Sequence, residues 1–146
     1  MDKIKTVYLG MSADIIHPGH LNIIHEANKL GRVVVGVLTD EAIASYKRLP
    51  YLDYAQRSLI VENIIAVDEV IPQTTLDYVP NLEKIHPDYV LHGDDWKQGV
   101  QQNTRQRVID CISKWGGKVI DIPYTQGISS TQLNKRLKEI GTTPEI

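Results

Sequence analysis

Five short apolar runs, each closed by glycine, proline or a polar residue and separated by segments with helical spacing, constrain this chain more than any other feature. The runs are Thr6 to Gly10, Val33 to Leu38, Val70-Ile71, Tyr89 to His92 and Lys118 to Ile122. They read as near-continuous apolar stretches, the pattern of strands covered on both faces. Between them, Leu21, Ile24, Ala27 and Leu30 form a helical stripe with Gly31 as its stop. Ala55, Leu59, Val61 and Ile65 repeat the helical pattern, Thr104 to Trp115 predicts a helix stopped by Gly116-Gly117, and Ser129 to Ile140 predicts a terminal helix. A βα unit repeated about five times implies an α/β, Rossmann-like doubly wound parallel sheet of about five strands with flanking helices and right-handed crossovers. The 146 residues suit one such domain, expected over residues 1–140, with residues 141–146 as a frayed tail.

Ligands of a doubly wound sheet bind beyond the carboxyl ends of its strands. Three clusters stand in that position. The first contains His17-Pro18-Gly19-His20. Proline favours the first turn of a helix, so His17 falls at the cap and His20 three residues on, on the same side. The free backbone N–H groups and the positive end of the helix dipole point there too, and Gly19 lets an anion approach the backbone. Paired imidazoles there suit charge neutralisation on a phosphoryl group; two histidines that merely cap a helix are the plainer reading. The second cluster, Gly93-Asp94-Asp95-Trp96, offers carboxylates at a strand end for ribose hydroxyls or a base amino group, or an Asx turn that caps the next segment. The third runs from Tyr124 to Gln132. Ser129 and Gln132 have capping-box spacing, Gly127 permits the turn, and Ser129, Ser130 and Thr131 offer hydroxyls to phosphate.

Charge narrows the choice of partner. With 16 Lys+Arg against 18 Asp+Glu the chain carries −2, which excludes an extended nucleic-acid surface, so any polyanion meets a local basic site. A single cysteine, Cys111, excludes an internal disulfide framework and reads as core. No apolar run approaches the roughly 20 residues of a membrane span, and Met1 runs straight toward the first strand without a cleavable leader, so the expected location is cytoplasmic.

The segment Gly10 to His20, with Asp14-Ile-Ile-His17-Pro-Gly-His20, resembles the HxGH signature of the nucleotidylyltransferase superfamily. Lys47, Arg57, Gly93 to Trp96 and Gly127-Ile128-Ser129-Ser130-Thr131 resemble the cytidylyltransferases in the same order, over about residues 5 to 137. Gly-Met-Ser-Ala-Asp, Ala-Ser-Tyr-Lys-Arg-Leu-Pro-Tyr, His-Gly-Asp-Asp-Trp-Lys and Pro-Tyr-Thr-Gln-Gly-Ile-Ser-Ser-Thr look most like the cytidylyltransferase domains found with phosphoenolpyruvate mutases in phosphonate biosynthesis. The resemblance implies transfer of CMP from CTP to a small phosphonate of the 2-aminoethyl or 2-hydroxyethyl type, with release of pyrophosphate; glycerol 3-phosphate, phosphocholine and phosphoethanolamine are the alternative acceptors. It implies catalytic roles for His17, His20 and Lys47. Nucleotide contacts are implied for Gly10, Met11, Ser12, Gly19, Gly93, Asp94, Asp95, Tyr124, Gly127, Ile128, Ser129, Ser130 and Thr131. Magnesium is the implied cofactor, with Asp14 as its candidate ligand, and a homodimer the implied assembly. One departure stands out: the family's arginine before the glycine falls at Tyr124, which leaves Lys47, Arg48 or Arg105 to supply that charge. Arg57 has two readings, a substrate contact or a structural residue paired with Glu62 or a strand-end carbonyl. His25, His86 and His92 read as structural. A catalytically silent nucleotide-binding module is the reading from another class.

Overall fold

A computed structural model of the protein describes residues 4–123 and 130–142. The described residues form strands β1 (Thr6–Met11), β2 (Arg32–Leu38), β3 (Glu69–Gln73), β4 (Tyr89–Gly93) and β5 (Lys118–Ile122). The helices are α1 (Pro18–Leu30), α2 (Asp40–Ala44), α3 (Tyr54–Glu62), α4 (Val79–Ile85), α5 (Gln102–Ile112) and α6 (Ser130–Thr142). All strand pairs are parallel, in the order β3-β2-β1-β4-β5. This is the expected α/β Rossmann-like sheet. The chain builds outward from β1 to β3, then returns to lay β4 against the other side of β1, so the order reverses between β1 and β4. At such a reversal the flanking loops part and leave a crevice.

Alternate residues of each central strand enter two different cores. Val7, Leu9, Val33, Val35 and Val37 pack with Ile24 and Ala27 of α1 and Val61 of α3 on one face. Tyr8, Val34 and Val90 pack with Leu82 of α4 and Val108, Cys111 and Ile112 of α5 on the other. Cys111 is core, as its sequence context implies. Gly36 is required because the Tyr8 hydroxyl crosses β2 at that point; a Cβ there would stand 1.8 Å from it.

Helices α2 and α4 and the 3₁₀ turn Asp94–Lys97 were not expected. Five and seven residues are too few to show a helical period, and α2 is defined mainly by Thr39, whose hydroxyl accepts from the Ala42 N–H at 3.3 Å. Helix α6 continues to Thr142, two residues past the expected end of the domain at residue 140.

Candidate active site

The crevice at the β1/β4 reversal is a cavity of about 450 Å³. Gly10, Met11 and Ser12 line it from β1, His17, Gly19 and His20 from the start of α1, and Gly93 and Asp95 from the end of β4. Lys47 enters from the loop after α2, and Thr131 from the first turn of α6. Ten of the residues expected in the site therefore converge. Tyr124, Gly127, Ile128 and Ser129 lie outside the described residues, and Ser130 is described only as the start of α6.

The start of α1 fixes the two imidazoles. His17 is the N-cap, and its Nδ1 accepts from the Gly19 N–H at 3.0 Å. His20 reaches back, its Nδ1 accepting from the His17 N–H at 3.2 Å. The rings lie 4.0 Å apart. Because each Nδ1 accepts, each neutral ring carries its proton on Nε2. Burial drives the His20 pKa down to about 4, with His17 and Lys47 adding to the shift, and burial also lowers His17. The charge neutralisation expected of the pair is thus corrected: at neutral pH they act as two uncharged N–H donors beside a helix N-terminus.

This state has a consequence for stability. His20 titrates near 6.5 when unfolded and about 4 when folded, so its contribution is complete above pH 6.5 and falls away as the pH drops toward 4. The expected loss is at most about 3 kcal/mol, at 1.36 kcal/mol per unit. Thermal melts between pH 4 and 7 check it: His20→Gln should flatten the wild-type slope, and parallel slopes would refute the assignment.

Cationic charge comes mainly from Lys47. Its Nζ donates to Ser12 Oγ at 3.3 Å, and desolvation lowers its pKa. The other two candidates are committed elsewhere. Arg105 forms two hydrogen bonds to Asp121, at 2.9 and 3.1 Å. Arg48 lies 2.6 Å from Asp14 Oδ2 in an ion pair that is off hydrogen-bond alignment.

Asp14 is not among the residues lining the cavity. Its Oδ1 accepts from the Tyr51 N–H at 2.7 Å while Oδ2 faces Arg48, so it fastens the loop that carries Lys47. Among the described residues no three His, Cys, Asp or Glu side chains converge as a metal cage. With Tyr51 N–H on Oδ1 and Arg48 beside Oδ2, the Asp14 carboxylate is engaged by the protein and does not by itself fit a metal ion. Asp94 also stays out of the cavity wall, having turned into the 3₁₀ segment, while Asp95 faces it. The two readings of Arg57 resolve toward structure: it is fully buried and donates to Leu38 O at 2.7 Å, Ser12 O at 2.6 Å, Leu52 O at 2.9 Å and Asp40 Oδ1 at 2.6 Å. Glu62 is not its partner.

Sequence reasoning gave His92 only a structural role and did not single out Gln73, Tyr46 or Tyr78 for the site. All four line the cavity. His92 stacks on Trp96 at 4.1 Å, and its Nδ1 sits 2.8 Å from Gly93 O. Its place as the penultimate residue of a buried strand was the available signal. His86 stacks on Trp115, a structural role as expected.

A doubly wound sheet with two imidazole N–H donors and a lysine at its reversal defines a nucleotidyltransferase-type domain. The chain belongs to the cytidylyltransferase-like family, which it matches over residues 8–136. It is 31% identical over 139 residues to glycerol-3-phosphate cytidylyltransferase of Bacillus spizizenii, covering 94% of this chain and 100% of that one. It is 34% identical over 141 residues to mouse ethanolamine-phosphate cytidylyltransferase, covering 92% of this chain and 33% of that protein, so it spans about a third of the mouse relative. Among solved structures, a lipopolysaccharide core biosynthesis protein from Thermoplasma volcanium superposes with a TM-score of 0.69 at 24% identity, over 84% of this chain and 98% of that one; this likeness speaks to the fold. No described helix is long and apolar enough to cross a membrane.

Proposed function

We propose that this protein transfers CMP from CTP to a phospho-alcohol and releases pyrophosphate. The observation that carries the reading is the pair of neutral imidazole donors at the α1 N-terminus facing Lys47 across one cavity. An ionised phosphate oxygen of the acceptor attacks the α-phosphorus in line. A new P–O bond forms, the bridge to the β-phosphorus breaks, and the electron pair leaves with pyrophosphate. The acceptor is already anionic at neutral pH, so no protein base or covalent intermediate is needed, and the protein contributes positioning and charge stabilisation. His17 and His20 would donate to α- and β-phosphate oxygens, Lys47 would bridge acceptor and α-phosphate, and the start of α6 would hold the β- and γ-phosphates. Magnesium would enter on the triphosphate and screen its charge.

The acceptor reading moves with the relatives. Their names give ethanolamine phosphate and glycerol 3-phosphate, which supports a phosphomonoester over the phosphonate implied by the short motifs. A phosphonate would react through the same oxygen. Exposed Leu59, Ile60 and Ile65, on and just after α3, support the homodimer by offering an apolar surface to a second copy.

Pyrophosphate release tests the function, with CTP or ATP and each of ethanolamine phosphate, glycerol 3-phosphate, phosphocholine and 2-aminoethylphosphonate. Release with CTP and a phospho-alcohol is expected. Release only with the phosphonate would reinstate that acceptor, and CTP binding without release from any acceptor would identify a silent binding module.

A further inference from the structure

The cavity wall below β3 has an unusual hydrogen-bond polarity. Asn81 Nδ2 donates to Tyr8 Oη and to Pro72 O, both at 3.0 Å. Tyr8 Oη donates to Gln73 Oε1 at 2.5 Å, and Gln73 Nε2 donates to Thr75 O at 3.0 Å. Tyr78 Oη donates its only proton to Gly10 O at 3.2 Å. Both Asn81 amide protons, the Tyr8 and Tyr78 hydroxyl protons and one of the two Gln73 amide protons are therefore spent within the protein, while acceptor capacity remains on Tyr78 Oη and Gln73 Oε1. These two oxygens converge: a Cβ on Gly10 would stand 2.7 Å from the first and 2.9 Å from the second. Tyr78 is 6% and Gln73 2% exposed, yet both line the cavity. The lining carboxylate, Asp95, follows β4, and its charge reaches the Tyr78 hydroxyl, so it adds to the attraction for an ammonium; Asp77, next to Tyr78, is held by Arg107 at 2.7 Å.

Distance connects this wall to Lys47. Ser12, which holds Lys47 Nζ, lies two residues beyond Gly10, about 6–7 Å along an extended chain. A two-carbon phospho-alcohol spans roughly 5 Å from phosphorus to its far end, at about 1.5 Å per bond.

We propose that Tyr78 Oη and Gln73 Oε1 form a head-group subsite that selects acceptors ending in an N–H or O–H donor, a primary ammonium or a hydroxyl, while the acceptor phosphate lies at Lys47. A trimethylammonium or plain alkyl end has no hydrogen to offer, and it leaves buried lone pairs desolvated without a partner. This assignment rests on the phospho-alcohol reading and goes beyond it by fixing which acceptors are preferred.

Wild-type protein, Tyr78→Phe and Gln73→Glu are assayed with CTP and four acceptors: ethanolamine phosphate, glycerol 3-phosphate, phosphocholine and ethyl phosphate. The wild type is expected to favour the first two by about 10-fold or more in kcat/KM. Tyr78→Phe should shrink that preference about 10-fold, through the acceptor KM and not the CTP KM. Gln73→Glu, which keeps an oxygen and adds charge, should raise ethanolamine phosphate over glycerol 3-phosphate and so separates ammonium from hydroxyl. Ethyl phosphate used as well as glycerol 3-phosphate by the wild type, or preferences unchanged in both variants, would overturn the subsite. If no acceptor is turned over, the phospho-alcohol reading has failed, and calorimetry decides the subsite separately. Ethanolamine phosphate binding more tightly than ethyl phosphate in the wild type but not in Tyr78→Phe supports it; equal binding overturns it.

Discussion

Replacing His20 by alanine is expected to lower kcat by about 10²-fold or more, by analogy with the loss of one preorganised donor to a developing oxyanion. On the proposed reaction the effect should fall on kcat, because Nε2–H would donate where negative charge grows as pyrophosphate leaves. His17 poses a harder test, since it is also the helix cap. Removing a cap costs about 1 kcal/mol, so alanine would mix a stability loss with a catalytic one. Asparagine at position 17 separates them: its side-chain oxygen can accept from the first-turn N–H groups, but it places no ring N–H over the cavity. His17→Asn should therefore melt close to wild type and still lose about 10²-fold in kcat. Turnover near wild type in both His20→Ala and His17→Asn, with circular dichroism showing intact folds, would remove the imidazoles from the mechanism.

Those imidazoles also show how far the sequence reaches. Their positions were legible because Pro18 and the three-residue spacing place both on the first turn of a helix after a strand. Their charge state was not, because it depends on burial and on which ring nitrogen accepts a backbone N–H. The sheet was legible for a similar reason: strands covered on both faces leave continuous apolar runs, whereas α2 and α4 are too short to leave a period. Side chains reaching the cavity from separate strand ends were the hardest to see. Tyr78 meets Gly10 across 68 positions and Tyr8 meets Gln73 across 65, and no local pattern encodes either contact. Asp14 follows the first strand and was the candidate metal ligand; only the fold brings Arg48 and Tyr51 back onto it.

Arg57 is where the largest stability effect is expected. Its guanidinium ties the carbonyls of Ser12 and Leu38, just past β1 and at the end of β2, to Leu52 and Asp40. The bond to Ser12 also braces the next residue, Ala13, whose left-handed backbone (φ 55°) costs a non-glycine residue roughly 1–3 kcal/mol. Arg57→Met would keep apolar bulk but leave three carbonyls and a carboxylate without their donor. The Asp40 side chain is 36% exposed and can hydrate, so the cost falls on the carbonyls, at about 1–3 kcal/mol for each buried group left unsatisfied. At about 2–4 °C per kcal/mol for a chain of this size, the melting temperature should fall by roughly 10 °C. Lysine should recover only part of this, because one ammonium cannot reproduce the planar fork that reaches all four acceptors. Thermal melts and turnover measured on the same samples separate the two roles of Arg57. If Arg57→Met melts within about 2 °C of wild type while kcat collapses, the residue acts on substrate. A large fall in melting temperature, with turnover retained below the new transition, makes it the brace that holds Ser12 and the loop before His17 in place.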